Sequence, residues 1–136
     1  MAALSLTSAF ARYGAKLPNP QWAVSAINSK GELVVSCWKH YLKGGDGKLV
    51  YTDSLSRWAG NAAGNNLLRE HLTRALADDL HVRLVIARTD ETDIVDSGQD
   101  ASQAAKTFGV REDLVGKVAV FDGDQFEIEF VRDSAI

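Results

Sequence analysis

The sequence predicts an α+β fold: a mixed or mostly antiparallel curled sheet or open barrel of five to six strands, flanked by two or three helices. Three observations predict it. Apolar runs of period two are joined by short turn sequences, two of which read as hairpins. The long amphipathic pattern of period 3.6 stands between strands and does not alternate regularly with them, which disfavours a parallel doubly wound sheet. The 136 residues match a single domain spanning 1–136, long enough to bury one core.

The first element in chain order is a helix from about Ser5 to Tyr13. Leu6, Phe10, Tyr13 and Leu17 recur at helical spacing, and Gly14 can take the left-handed conformation that ends a helix. This stretch has no acid before Glu32 and is rich in Ala and Ser, as transit peptides are, but its periodicity favours a helix docked on the core. Pro18 and Pro20 then break the helix and turn the chain into an extended course. Trp22 to Ile27 and Glu32 to Tyr41 read as a hairpin across Asn28-Ser29-Lys30-Gly31. In the second of these strands Val34, Ser36, Trp38 and His40 share one face, and Leu33, Val35, Cys37, Lys39 and Tyr41 the other. Each face turns from apolar to polar or aromatic, as expected where a strand leaves the core and meets solvent or a ligand.

Gly44-Gly45-Asp46-Gly47 reads as a hairpin tip with a return strand from Leu49 to Thr52. A P-loop is disfavoured there, because Lys48 lacks the spaced glycines and no helical run follows. A second helix starts between Gly60 and Asn66 and runs to about Asp79, with Leu68, Leu72, Ala75, Leu76 and Leu80 as its apolar stripe. His81 to Arg88 is almost continuously apolar and reads as a central strand covered on both faces. Asp100 with Gln103 resembles a capping box opening a short helix that ends at Gly109. Val118 to Phe121, the turn Asp122-Gly123-Asp124, and Phe126, Ile128 and Phe130 alternating with Gln125, Glu127 and Glu129 form a second hairpin, apolar inside and acidic outside.

Composition excludes several classes. Hydrophobic residues make up 46% and charged residues 24%, which fits neither a disordered, collagen-like nor coiled-coil chain. No apolar run approaches the ~20 residues needed to span a bilayer, so no membrane partner is expected. The lone Cys37 permits no internal disulfide, which suits a reducing compartment and predicts a cytoplasmic location. His40, His71 and His81 lack zinc-ligand spacing and Cys37 has no second thiol nearby, so neither a metal nor another cofactor is expected. A Cys37–His40 dyad is disfavoured by an offset that puts the two on opposite faces of a strand, and Ser54 and Ser56 lack the glycines of a nucleophile elbow.

The net charge of −3 argues against a polyanion partner, but the average hides an asymmetry. Residues 1–60 carry seven basic side chains against three acidic, a net of +4, and residues 61–136 carry eight against fifteen, a net of −7. The split predicts a basic surface opposite an acidic one, unless the two halves interleave in space.

The pattern richest in chemistry runs from 38 to 58: Trp38, Lys39, His40 and Tyr41, then Lys43, Lys48, Tyr51, Arg57 and Trp58. Aromatic rings stack bases at ~1–3 kcal/mol each, and interleaved cations neutralise phosphate. The expected function is a non-catalytic nucleic-acid-binding module that recognises exposed or modified bases through Trp38, Lys39, His40, Lys43, Lys48, Arg57 and Trp58. The competing reading has the tryptophans filling the core and the lysines protecting strand edges. The topology resembles small PUA-like barrels, which hold bases between rings, a likeness of folds that no motif narrows to membership.

Two alternatives belong to other classes. A metal-dependent phosphodiesterase or nuclease would use Asp90, Glu91 and Asp93 of the acidic stretch after the central strand, although such sites draw acids from different strands. A protein-interaction or inhibitor domain would act through the acidic face of the C-terminal hairpin. Nothing in the sequence fixes the oligomeric state.

Overall fold

The alternation of apolar residues along each strand decides which face of the sheet each helix covers. The structure, a computed structural model, describes residues 4–58, 61–98 and 105–133. Its strands are β1 (Ser25–Ile27), β2 (Leu33–Trp38), β3 (Leu42–Gly45), β4 (Lys48–Ser54), β5 (Val82–Arg88), β6 (Thr107–Val110), β7 (Leu114–Phe121) and β8 (Gln125–Arg132). Its helices are α1 (Leu6–Ala11), α2 (Ala62–Asp78) and α3 (Thr92–Asp96), with 3-10 turns at Lys39–Tyr41 and Ser56–Trp58. The strands form one open sheet in the order β1-β2-β5-β7-β8-β4-β3, with β6 paired to β5 beside that path. Among the described residues only β2 and β5 run parallel; the other pairings are antiparallel. The fold is α+β as predicted, with eight strands among the described residues where five or six were expected.

One face carries the main core. Leu33, Val35 and Cys37 of β2, Val82, Leu84 and Ile86 of β5, and Phe126, Ile128 and Phe130 of β8 pack with Leu68, Leu72 and Ala75 of α2. On the other face Val34 and Val85 meet Phe10, Ala15 and Leu17. A six-residue helix has little stability of its own. Ser5 caps α1 by accepting the Ser8 N–H, and burial of Phe10, at about 1.5–3 kcal/mol for a large apolar side chain, holds it on the sheet.

The start of α2 is fixed by Asn61, whose side chain accepts the Gly64 N–H and donates to the Trp22 carbonyl 2.9 Å away. A Cβ at Gly64 would collide with that carbonyl, so helix and chain approach closely only because this position has no side chain.

Several predicted boundaries move, each for a local reason. Trp22 to Val24 are not strand: the Trp22 and Ala23 N–H groups both donate to the Asn19 carbonyl, closing a turn after the prolines. The second strand stops at Trp38 because 39–41 coil into a 3-10 turn, which ends the alternation predicted through Tyr41. β3, unforeseen because it ends in two glycines, pairs with β4 across Asp46 and Gly47, both at positive φ as a primed two-residue turn requires. The helix expected over 100–109 is not formed at its end, where Thr107–Val110 are strand; residues 100–104 lie outside those described. β7 meets β5 only at Val82, and β6 supplies ladder partners for Val85 to Arg88.

The predicted charge separation does not survive folding. Arg12–Glu112 (2.6 Å), Lys48–Glu129 (3.1 Å) and Arg83–Glu32 (3.1 Å) each join the basic half of the chain to the acidic half. The halves interleave because β2 pairs with β5 and β4 with β8. Among the described residues no helix is long and apolar enough to cross a membrane.

Candidate functional site

All three tryptophans border one cavity, Trp38 and Trp58 packed against the core under α2 and Trp22 against the core under α1. Trp22, Trp38 and Trp58 line a cavity of about 300 Å³ together with Tyr51 and Phe108. Each arrives from a different break in regular structure. Trp22 lies in the segment leading into β1, Trp38 is the last residue of β2, and Trp58 ends the 3-10 turn that follows β4. β1 pairs with β2 only from Leu33 to Val35, so the end of β2 beyond Ser36 has no strand beside it on that edge. The three indoles are half-buried. Their N–H groups have no protein acceptor among the described residues and are not sealed from solvent.

Below the rings lies a polar network built on Asp53, whose side chain is 4% exposed. Its carboxylate accepts from Arg57 Nε (2.6 Å) and Nη2 (2.7 Å), from the Ser54 N–H (2.7 Å) and from the Tyr51 hydroxyl (3.0 Å). These four bonds fill the acceptor positions of a carboxylate, so Asp53 holds the wall and has no lone pair left for a ligand. Burial, then the Asp53 charge, push the Tyr51 pKa well above its ordinary value, and the phenol stays protonated. Arg57 also donates to the Val95 carbonyl (2.6 Å) and stands over the Tyr41 ring, 4.9 Å from its centroid. Burial works against its charge and the Asp53 hydrogen bonds and charge outweigh it, so its pKa rises.

A second set of contacts fastens α3 beside the cavity. The Asp96 carboxylate accepts a short hydrogen bond from the Tyr41 hydroxyl and another from His40 Nε2 at 3.0 Å. These bonds, Tyr41 first, hold the Asp96 pKa below its usual value. Burial and the bond to Asp96 raise Tyr41 to about 12.

The residues singled out in the sequence separate into three groups. Trp38, Arg57 and Trp58 line the cavity, with Arg57 committed to Asp53. Lys39 and His40 line a neighbouring, more open hollow of about 650 Å³, with Arg88, Asp90 and Lys106. Lys43 and Lys48 border neither space, and Lys48 pairs with Glu129 across the β4–β8 ladder. Sequence reading missed Trp22, Phe108, Arg88 and Lys106. The only signal for Trp22 was its place after Pro18 and Pro20, where a strand start hid a wall residue.

The acids of the nuclease alternative disperse. Glu91 accepts the Ala105 N–H (2.6 Å), Asp93 is exposed in the first turn of α3, and Asp90 borders the hollow. Among the described residues no three His, Cys, Asp or Glu side chains converge to hold an ion. Ser25 and His71 approach to 2.8 Å, but Ser25 is fully buried, so the pair ties β1 to α2. Burial lowers the His71 pKa. Cys37 is also fully buried, and burial with the Asp53 charge raises its thiol pKa well above the ordinary value.

No protein-family model matches the chain, and neither curated proteins nor solved structures give a match.

Proposed function

We propose that this chain is a non-catalytic nucleic-acid-binding module that takes an exposed or extruded base, modified or not, into the cavity formed by its three tryptophans. The convergence of Trp22, Trp38 and Trp58 on one solvent-reachable cavity carries this reading. Its volume of about 300 Å³ stands at the lower end of small-ligand sites, which suits a single planar heterocycle better than a larger ligand. Indole faces supply stacking, and the indole N–H groups supply donors for ring nitrogens and carbonyl oxygens. The Ser36 hydroxyl, which borders the cavity and has no side-chain hydrogen bond among the described residues, offers both a donor and an acceptor. The Asp53–Arg57–Tyr51 network fixes the Tyr51 and Arg57 walls of the cavity without a ligand, and such preorganisation reduces the cost of binding.

The test is fluorescence titration with single-stranded oligonucleotides and with duplexes carrying one unpaired base. Binding quenches the tryptophans, and Trp38→Ala or Trp58→Ala weakens it about 5- to 150-fold, the equivalent of one lost stacking contact at ~1–3 kcal/mol. Fluorescence that stays constant up to millimolar concentrations of every base context contradicts the proposal.

A further inference from the structure

We propose that the hollow beside the aromatic cavity is the phosphate subsite of the same ligand, so that the unit recognised is a nucleotide, its base among the tryptophans and its phosphate among Lys39, Arg88 and Lys106. This rests on the reading of the cavity as a base site and adds to it a second contact surface.

Contiguity is the first support. Trp38 and Ala87 face each other in the parallel β2–β5 register, and both line the cavity. The residue that follows each of them, Lys39 at the start of the 3-10 turn and Arg88 at the end of β5, lines the hollow, and Lys106 lines both spaces. Alternation turns the Arg88 side chain to the face of β5 opposite Ala87, so the two spaces adjoin through Lys106, and a ligand that spans them passes that residue.

Charge is the second support. Arg12, Arg57, Arg83, Arg111 and Lys117 are held in ion pairs within the fold. Lys39 and Arg88 differ: both are exposed, and neither makes an ion pair among the described residues. They line the hollow with Lys106 and Thr107; among the described residues Asp90 is the one carboxylate in that lining, while His40 is engaged by Asp96 and the Thr89 hydroxyl by the Ala105 carbonyl. Such a set recognises an anion with tetrahedral oxygens through charge-assisted hydrogen bonds.

Topology is the third. The hollow lies beyond the carboxyl ends of the one parallel strand pair, where β2 runs into the 3-10 turn at Lys39–Tyr41 and β5 leads toward α3. The segments that leave the two strands are tied to each other by the Tyr41 and His40 hydrogen bonds to Asp96, and His40 lines the hollow.

The experiment titrates the full chain with a nucleoside, its 5′-monophosphate, and a single-stranded oligonucleotide of the same base. Wild type is compared with Lys39→Glu, Arg88→Glu and the control Lys43→Glu, which alters a lysine bordering neither space; circular dichroism verifies the fold of each. The monophosphate binds about tenfold or more tighter than the nucleoside, as a charge-assisted contact allows. Lys39→Glu and Arg88→Glu remove that gain and leave nucleoside affinity within about twofold, while Lys43→Glu binds like wild type. An oligonucleotide tighter than the monophosphate identifies nucleic acid as the source of the phosphate; equal affinities identify the free nucleotide. A nucleoside that binds as tightly as its monophosphate, or reversals that change nothing, overturns the phosphate subsite and leaves the base site standing. Failure of all three probes to bind overturns both.

Discussion

Asp53→Ala perturbs the wall of the cavity at its most constrained point. The substitution removes four hydrogen bonds and leaves the Arg57 guanidinium, 16% exposed, without its counter-charge. Breaking a buried ion pair by deleting one partner costs about 3–5 kcal/mol, most of it from the stranded charge. Here Arg57 keeps the Val95 carbonyl and the Tyr41 ring, which places the cost near the lower end, at about 3 kcal/mol. Arg57→Met strands the Asp53 carboxylate instead and costs a similar amount, about 3 kcal/mol. The double variant strands neither charge, so its loss falls short of the sum by about 2–3 kcal/mol. Urea unfolding of the four proteins at neutral pH, followed by tryptophan emission, measures this coupling directly. Losses that add within about 0.5 kcal/mol, or an Asp53→Ala variant less than about 1 kcal/mol below wild type, refute the argument that a saturated ion pair braces the cavity.

Three further outcomes follow from other parts of the structure. Gly116→Ala directs a methyl group at the Phe130 ring and the Glu129 carbonyl and lowers stability by about 1–3 kcal/mol, read from the urea midpoint, because the core must shift to admit it. The Asp96 pKa in the folded chain lies below its ordinary 3.8, so its contribution is present above that value and is lost as pH falls through the folded pKa. Acid unfolding of Asp96→Asn therefore shows a smaller loss of stability below about pH 4 than wild type, and parallel profiles contradict the Tyr41–Asp96–His40 clasp. Cys37, sealed and with a raised pKa, reacts with a thiol reagent at pH 8 only as fast as the chain opens, so added urea accelerates it steeply. Fast labelling without denaturant would contradict its burial.

What the sequence makes legible is what local pattern controls. Phe126, Ile128 and Phe130 alternate with polar residues and all three are buried, because a strand with one wet face writes its orientation into a period of two. Leu68, Leu72 and Ala75 of the predicted α2 stripe are buried for the same reason at a period of 3.6, while Leu76 of that stripe is 45% exposed. β6 is different: Thr107–Val110 is strand because β5 has an edge to fill, and no local signal in Thr-Phe-Gly-Val announces that. The site shows the same divide. Trp38 and Trp58 stand out as an aromatic cluster, whereas Trp22 joins them only through the Asn61 bond and the turn at Asn19. The Asp53–Arg57 pair has a four-residue spacing that suggests an ion pair on a helix, but it spans the end of β4 and a 3-10 turn, so that rule gave no warning that the Arg57 cation is already engaged. Lys39 and Arg88 are 49 positions apart in the chain and neighbours only through the parallel pairing of β2 with β5.

The most direct measurement is a heteronuclear NMR titration of the three indole N–H signals with a nucleoside 5′-monophosphate. One cavity shared by Trp22, Trp38 and Trp58 predicts that all three signals move together along a single saturable curve, and that Asp53→Ala weakens the response of all three. Signals that stay fixed, or that move one at a time with unrelated affinities, would show that these rings do not enclose a common ligand.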